Sequence, residues 1–190
     1  MLLKEVAPAA LAPVLGEFAA HLRLGLGFAD DGAEDALLER YLGAAIAAVE
    51  ARTGQALLAR QFVLQAAGWD RRGHLVLPVG PVASVDVIRF VRSDGSVTLD
   101  PAQWAVGPGT SRQRLTGPGG GALPAVPSGA LVELEFTAGH ADAWAGVPGA
   151  LRQAVLMLAA HYHENRHGDA GDGLPPAVAA LLGAYRPARL

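Results

Sequence analysis

The helical pattern from Val147 to Arg166 limits most tightly what the rest can fold into. Pro148 opens it at a first-turn position, where a missing N–H costs no hydrogen bond. Leu151, Ala154/Val155, Leu158 and Tyr162 then recur every three to four residues and form one apolar stripe. Gly168 to Gly173 ends the pattern. Such a stripe has to be covered by other elements. Its most apolar part, Leu151 to Ala160, contains Arg152 and Gln153 and is too short to span a bilayer.

Helices that can provide this cover lie at both ends. Val14 to Leu24 predicts a short helix with Leu15, Phe18 and Leu22 on one side, ended by Gly25 and Gly27. Asp31 followed by Glu34 has capping-box spacing. The helix after it carries Leu38, Tyr41/Leu42, Ala45/Ile46 and Val49, and Thr53-Gly54 stops it, since glycine accepts the left-handed C′ conformation. After Pro175-Pro176 a last short helix places Val178, Leu181/Leu182 and Tyr185 in register, followed by a basic tail with Arg186 and Arg189.

Between these helices the pattern changes to strands. Leu57 to Ala67, His74 to Val79 and Ser84 to Arg92 are β-rich, and Ser93-Asp94-Gly95-Ser96 predicts a hairpin into Val97 to Leu99. Trp104 to Val106 and Arg112 to Leu115 are shorter candidates. Leu131 to Thr137 alternates, with Val132, Leu134 and Phe136 on one face and Leu131, Glu133 and Glu135 on the other. Gly107 to Gly129 is dense in glycine and proline, so a mobile loop is expected; no helix pattern opens after it, which excludes a dinucleotide fingerprint. Helices, then antiparallel strands, then helices is the α+β order. The expectation is a helical bundle part, built from N-terminal and C-terminal helices, with a central small antiparallel β-sheet unit. One domain over residues 1–190 is expected, with helices at about 14–53, a β region at about 57–137, a helix at about 148–166 and a C-terminal helix and tail at 174–190.

Composition removes several function classes. Hydrophobic residues at 51% against charged residues at 17% belong to a folded chain. The net charge of −3 provides no global basic field for nucleic acid. Zero cysteines exclude disulfides, thiol catalysis and Cys-ligated zinc. Met1 to Phe18 lacks the compact apolar stretch of a signal peptide, so an intracellular protein with no membrane partner is expected.

One motif carries chemistry. His163-Glu164-Asn165-Arg166-His167 fits H-E-x-x-H, in which histidines four apart on a helix share a zinc ion and the glutamate activates its water. A zinc hydrolase using His163, Glu164 and His167 is therefore the alternative reading. Against it, the motif lies in the last turn, and no histidine follows at the spacing of the extended pattern, where Gly173 stands. Polar residues solvating a helix end, with histidines near the negative end of its dipole, explain the same letters. His140 and Asp142 beside Trp144 have no activated serine or threonine nearby and fit a satisfied loop histidine. His21 and His74 are isolated. Arg71-Arg72 and Arg112/Arg114 fit solvated turns and strand faces, and Trp69, Trp104 and Trp144 fit core edges.

Four ordered segments carry a resemblance. They are FAAHLRL (18–24) with EDALLERYLGAAIAAVEARTGQAL (34–57), LPVGPVASVDVIRFVRSDGSVTLDPAQWAV (77–106), VELEFTAGHADAWAGVPGALRQAVLMLAAHYHENR (132–166) and LPPAVAALLGAYRPARL (174–190). Together they resemble the head–tail connector (adaptor) proteins of long-tailed phages and gene transfer agents, in the same order. The departures are the first seventeen residues and the Gly-rich loop after Val106. The resemblance implies a structural protein, not an enzyme and without cofactor, in the neck of a virion or virus-like particle assembled in the bacterial cytoplasm. It implies a ring, commonly a dodecamer, of neighbouring copies beneath the portal protein. That ring extends the channel for double-stranded DNA, which passes without sequence-specific binding, and joins stopper or tail proteins. It further implies portal docking by the C-terminal segment, here Val178, Leu181, Leu182, Tyr185, Arg186 and Arg189.

Overall fold

The computed structural model describes residues 1–7, 12–22, 33–110, 112–165 and 173–186. Its chain falls into two compact units, Met1–Pro8 with Gly54–Asp142, and Ala9–Thr53 with Ala143–Leu190. The first is built of strands and the second of helices, so the α+β expectation holds.

The strand unit contains β1 (Leu2–Glu5), β2 (Arg60–Ala66), β3 (Leu75–Val76), β4 (Val82–Arg92), β5 (Gly95–Thr98), β6 (Ala105–Val106), β7 (Arg114–Thr116) and β8 (Leu131–Ala138). Five form an antiparallel sheet in the order β1-β2-β8-β4-β5, and three form a second antiparallel sheet, β3-β7-β6. The strand with the cleanest alternation, β8, lies in the middle of the larger sheet. Val132, Leu134, Phe136 and Ala138 are fully buried, opposite Ala66, Leu64, Phe62 and Arg60 on β2. Phe62 stacks on Phe136 at 5.5 Å, and Ile88 and Phe90 of β4 extend the same layer. The other face of β8 is polar. Arg89 of β4 pairs there with Glu133 at 3.4 Å and with Glu135, and this hydrogen bonding to Glu135 raises the pKa of an already cationic guanidinium.

Strand β1 was not expected. Leu2-Leu3-Lys4-Glu5 has no alternation that announces a strand, and its β conformation depends on pairing with Phe62–Gln65.

The Gly-rich stretch is also more ordered than its composition suggests. Gly117 N–H donates to the Gly121 carbonyl at 2.8 Å and Gly121 N–H to the Pro118 carbonyl at 3.2 Å, closing a tight turn. Gly117 is buried, and a Cβ on it would collide with the Ala122 carbonyl. Leu123 N–H then donates to the Gly73 carbonyl. Glycine is needed here for close backbone approach, which replaces the mobile loop of the sequence expectation with a hydrogen-bonded turn.

The helical unit contains α1 (Ala12–His21), α2 (Ala33–Thr53), α3 (Gly149–Glu164) and α4 (Pro176–Leu182). Helix α2 buries Leu38, Leu42, Ala45, Ile46 and Val49, the expected stripe. At its end Thr53 Oγ1 donates to the Val49 carbonyl at 2.9 Å, and Gly54 takes φ +67 as the stop. The Asp31 cap and the stops at Gly25 and Gly27 lie outside the described residues. Helix α1 buries Val14 and Phe18. Helix α3 buries Leu151, Ala154, Val155 and Leu158, and also Leu156 and Ala159, which widens the expected stripe. The wider burial follows from its neighbours, since α1, α2 and α4 all pack on it.

Candidate functional site

The C-terminal segment is the first candidate. Pro175 and Pro176 start α4, whose Ala179 N–H bonds the Pro175 carbonyl at 3.0 Å. Val178 and Leu182 are fully buried, and α4 packs on α3 and α2. Leu181 and Tyr185 are half-buried and Arg186 is exposed, whereas Arg189 lies outside the described residues. The six residues expected to meet a portal thus divide. Val178 and Leu182 anchor α4 to the helical unit, and Leu181, Tyr185 and Arg186 present a partly open surface.

The H-E-x-x-H segment closes α3. His163 is half-buried, with its ring edge-on to Tyr41 of α2 at 5.8 Å and 88°. Glu164 is exposed, and Asn165 Nδ2 donates to the His161 carbonyl at 2.9 Å. His167 lies outside the described residues. Among the described residues no three His, Asp or Glu side chains converge in a way that could hold a metal ion. The contact His163 makes is aromatic packing within the helical unit.

Two polar groups missed at the level of sequence hold the strand unit together. Gln55 is 2% exposed, and the His140 Nε2–H donates to its Oε1 at 2.7 Å. Burial pushes the His140 pKa below its ordinary value of 6.5. The His140 backbone N–H also reaches the Ala56 and Leu57 carbonyls at 3.2 Å, so this is a satisfied loop histidine. Gln113, between two exposed arginines, is 7% exposed. Its Oε1 accepts from Val82 N–H at 2.6 Å and its Nε2 donates to the Gly107 carbonyl at 3.3 Å. Gln113 lies just before β7, after Arg112 at φ +50, so no strand alternation announced its inward position. Asp70 accepts backbone N–H groups of His74 and Arg72 at 2.9 and 2.8 Å, bonds that hold its carboxyl below the ordinary 3.8. Trp69 and Trp104 pack at the margin of the sheet core, and Trp144 is buried in the helical unit, where its Nε1 donates to Glu17 at 2.7 Å. Arg71, Arg72, Arg112 and Arg114 are exposed. Gln55, His140, Gln113, Asp70 and Trp144 thus serve packing and the satisfaction of polar groups.

Solved structures carry the identification. The chain is similar to one in the neck of an empty gene transfer agent (GTA) particle computed with C6 symmetry. The two share 43% identity with a TM-score of 0.90, over 100% of this chain and 97% of that one. A chain from the virion of the native gene transfer agent particle matches at 43% identity and a TM-score of 0.86, with the same coverage. A third, from the neck of the native particle computed with C12 symmetry, matches at 38% identity and 0.85, again over 100% and 97%. Identity at this level over both full lengths decides the matter. The chain belongs to the head–tail connector family. No family model and no curated protein matches it. In this connector the described parts of the resembling segments are structural elements: the first includes the end of α1, 34–57 is α2 and its stop, 77–106 spans β4 to β6, and 132–164 includes β8 and α3. The family signal therefore lies in the framework, and the function of the framework is structural.

Proposed function

We propose that the chain assembles as a ring in the neck of a gene transfer agent or phage-type particle, beneath the portal protein. The ring extends the channel for double-stranded DNA and joins the capsid to stopper or tail proteins. The observation that carries this is the full-length similarity, 43% identical with a TM-score of 0.90, to a chain of a gene transfer agent neck. The two compact units act as one connector domain in this reading. The C-terminal segment, Leu174 to Leu190, docks on the portal through Leu181, Tyr185, Arg186 and Arg189. Val178 and Leu182 keep α4 in place or move with it onto the portal. A net charge of −3 suits a channel through which DNA slides without being held by its phosphates.

Native mass spectrometry of the chain mixed with portal rings from the same source tests the proposal. Loading at a fixed stoichiometry, lost on removal of Leu174 to Leu190 while the remainder keeps its circular dichroism spectrum, is the expected result. A chain that ignores the portal, or whose truncated form loads equally well, overturns the assignment of the ring or of the docking segment respectively.

A further inference from the structure

Among the described residues the exposed large apolar side chains are Met1 (75%), Leu2 (64%), Val6 (53%), Val97 (67%) and Leu131 (49%). All belong to the five-stranded sheet or the residues beside it, and four lie on its two edge strands or directly next to them. Met1, Leu2 and Val6 mark the β1 edge, and Val97 marks the β5 edge. Neither edge has a further strand beside it among the described residues. Edges left this way normally carry charge, proline or bulges that prevent pairing with another chain. Gly95-Ser96-Val97-Thr98 carries no charge and no proline, and β1 carries its charges, Lys4 and Glu5, only in its second half, where Glu5 pairs with Arg60. Val97 also stands opposite Phe90, so it is on the core side of the sheet, yet it stays exposed at the edge.

We infer that β5 of one copy pairs with β1 of the next, and that this contact closes the ring. The inference rests on the ring proposed above. A cyclic ring needs two different complementary patches on each subunit, because each copy meets its neighbours head to tail. The two edges of one sheet provide such a pair. Direction also agrees. With five strands each antiparallel to its neighbour, β1 and β5 run the same way. The C12 symmetry with which one of the similar necks was computed turns each copy by one-twelfth of a turn, and neighbouring strand directions then differ by no more than that angle. The strands of neighbouring copies therefore meet as a parallel pair, in the manner of strand addition to an open edge. Val97 is then covered by Leu3 or Met1 of the next copy. A two-fold contact would instead place β1 on β1 or β5 on β5.

The outer-face register supplies the test. Leu2, Gln65, Glu133, Arg89 and Thr98 form one row across the sheet. If the row continues, Thr98 of one copy lies beside Leu2 of the next, and a stagger of one pleat substitutes Ser96. The chain has no cysteine of its own. Leu2→Cys/Thr98→Cys and Leu2→Cys/Ser96→Cys, both at exposed positions, are loaded on portal rings, treated with a short bis-maleimide and run on a denaturing gel. The expected result is a ladder extending beyond dimers in at least one double variant, and monomers from each single variant. Fully loaded rings that yield only monomers from both double variants overturn the inference. So do dimers from a single variant, which indicate a two-fold contact. Failure of the unmodified chain to load, seen before any cross-linker is added, overturns the connector reading and this inference with it.

Discussion

Gly139 shows how a single backbone position can be decisive. It takes φ +148, and a Cβ there would collide with the backbone of Ala59 and Leu58, which cannot yield as a flexible side chain can. Its N–H donates to the Pro81 carbonyl at 2.8 Å, so it cannot easily move away. Gly139→Ala is expected to cost more than about 2 kcal/mol, read by urea unfolding, because both the dihedral and the contact are unfavourable to alanine. One residue on, His140 sets a pH dependence. Burial lowers its pKa in the folded chain below 6.5, so between the two values the unfolded chain binds more protons. Stability is full above pH 6.5 and is lost as the pH falls through the window beneath it. Chemical denaturation at a series of pH values should show this decline, with a flatter profile for His140→Gln. An unchanged profile in that variant would assign the decline to another group.

At the scale of elements, β8 and α4 make different demands. Phe136 is in the central strand, fully buried and stacked on Phe62, so Phe136→Ala is expected to cost about 3–5 kcal/mol in unfolding free energy. Leu182 is 1% exposed, and α4 packs on α3 and α2. Leu182→Ala is expected to cost about 2–5 kcal/mol if α4 unfolds with the rest of the helical unit. A smaller loss, with early amide exchange confined to 176–185, would mean that α4 opens by itself and is free to move onto a partner. The same comparison explains which elements were legible. Alternation in Leu131 to Thr137 and three-to-four spacing in α2 and α3 report which face is buried, so both were placed from sequence. Strand β1 and the turn at Gly117 to Gly121 were not. Each depends on backbone pairing that hydrophobic spacing does not encode: β1 on the distant Phe62–Gln65, and the turn on hydrogen bonds among its own glycines and Pro118, with Leu123 N–H reaching the distant Gly73 carbonyl.

For the whole molecule, the H-E-x-x-H letters and the connector reading make opposite predictions. His163 packs its ring against Tyr41, and Glu164 is exposed. His163→Ala and Glu164→Gln are therefore expected to leave portal loading in native mass spectra nearly unchanged, the first with a small loss of stability from the missing ring contact. Abolished loading by Glu164→Gln in a normally folded chain would show that the motif has a role beyond the helix end.

Sequence alone determined the fold class and the order of the elements from α1 onward, because hydrophobic spacing and capping act over a few residues. It also carried the family, since the four resembling segments lie in the framework that similar chains share. Which groups become partners was decided by tertiary structure. Val178, Leu181, Leu182 and Tyr185 form one stripe by spacing. Only the packing of α4 on α3 and α2 separates Val178 and Leu182, which it buries, from the two it leaves partly open. The two open sheet edges arise likewise from the strand order, a long-range choice that local chemistry does not contain.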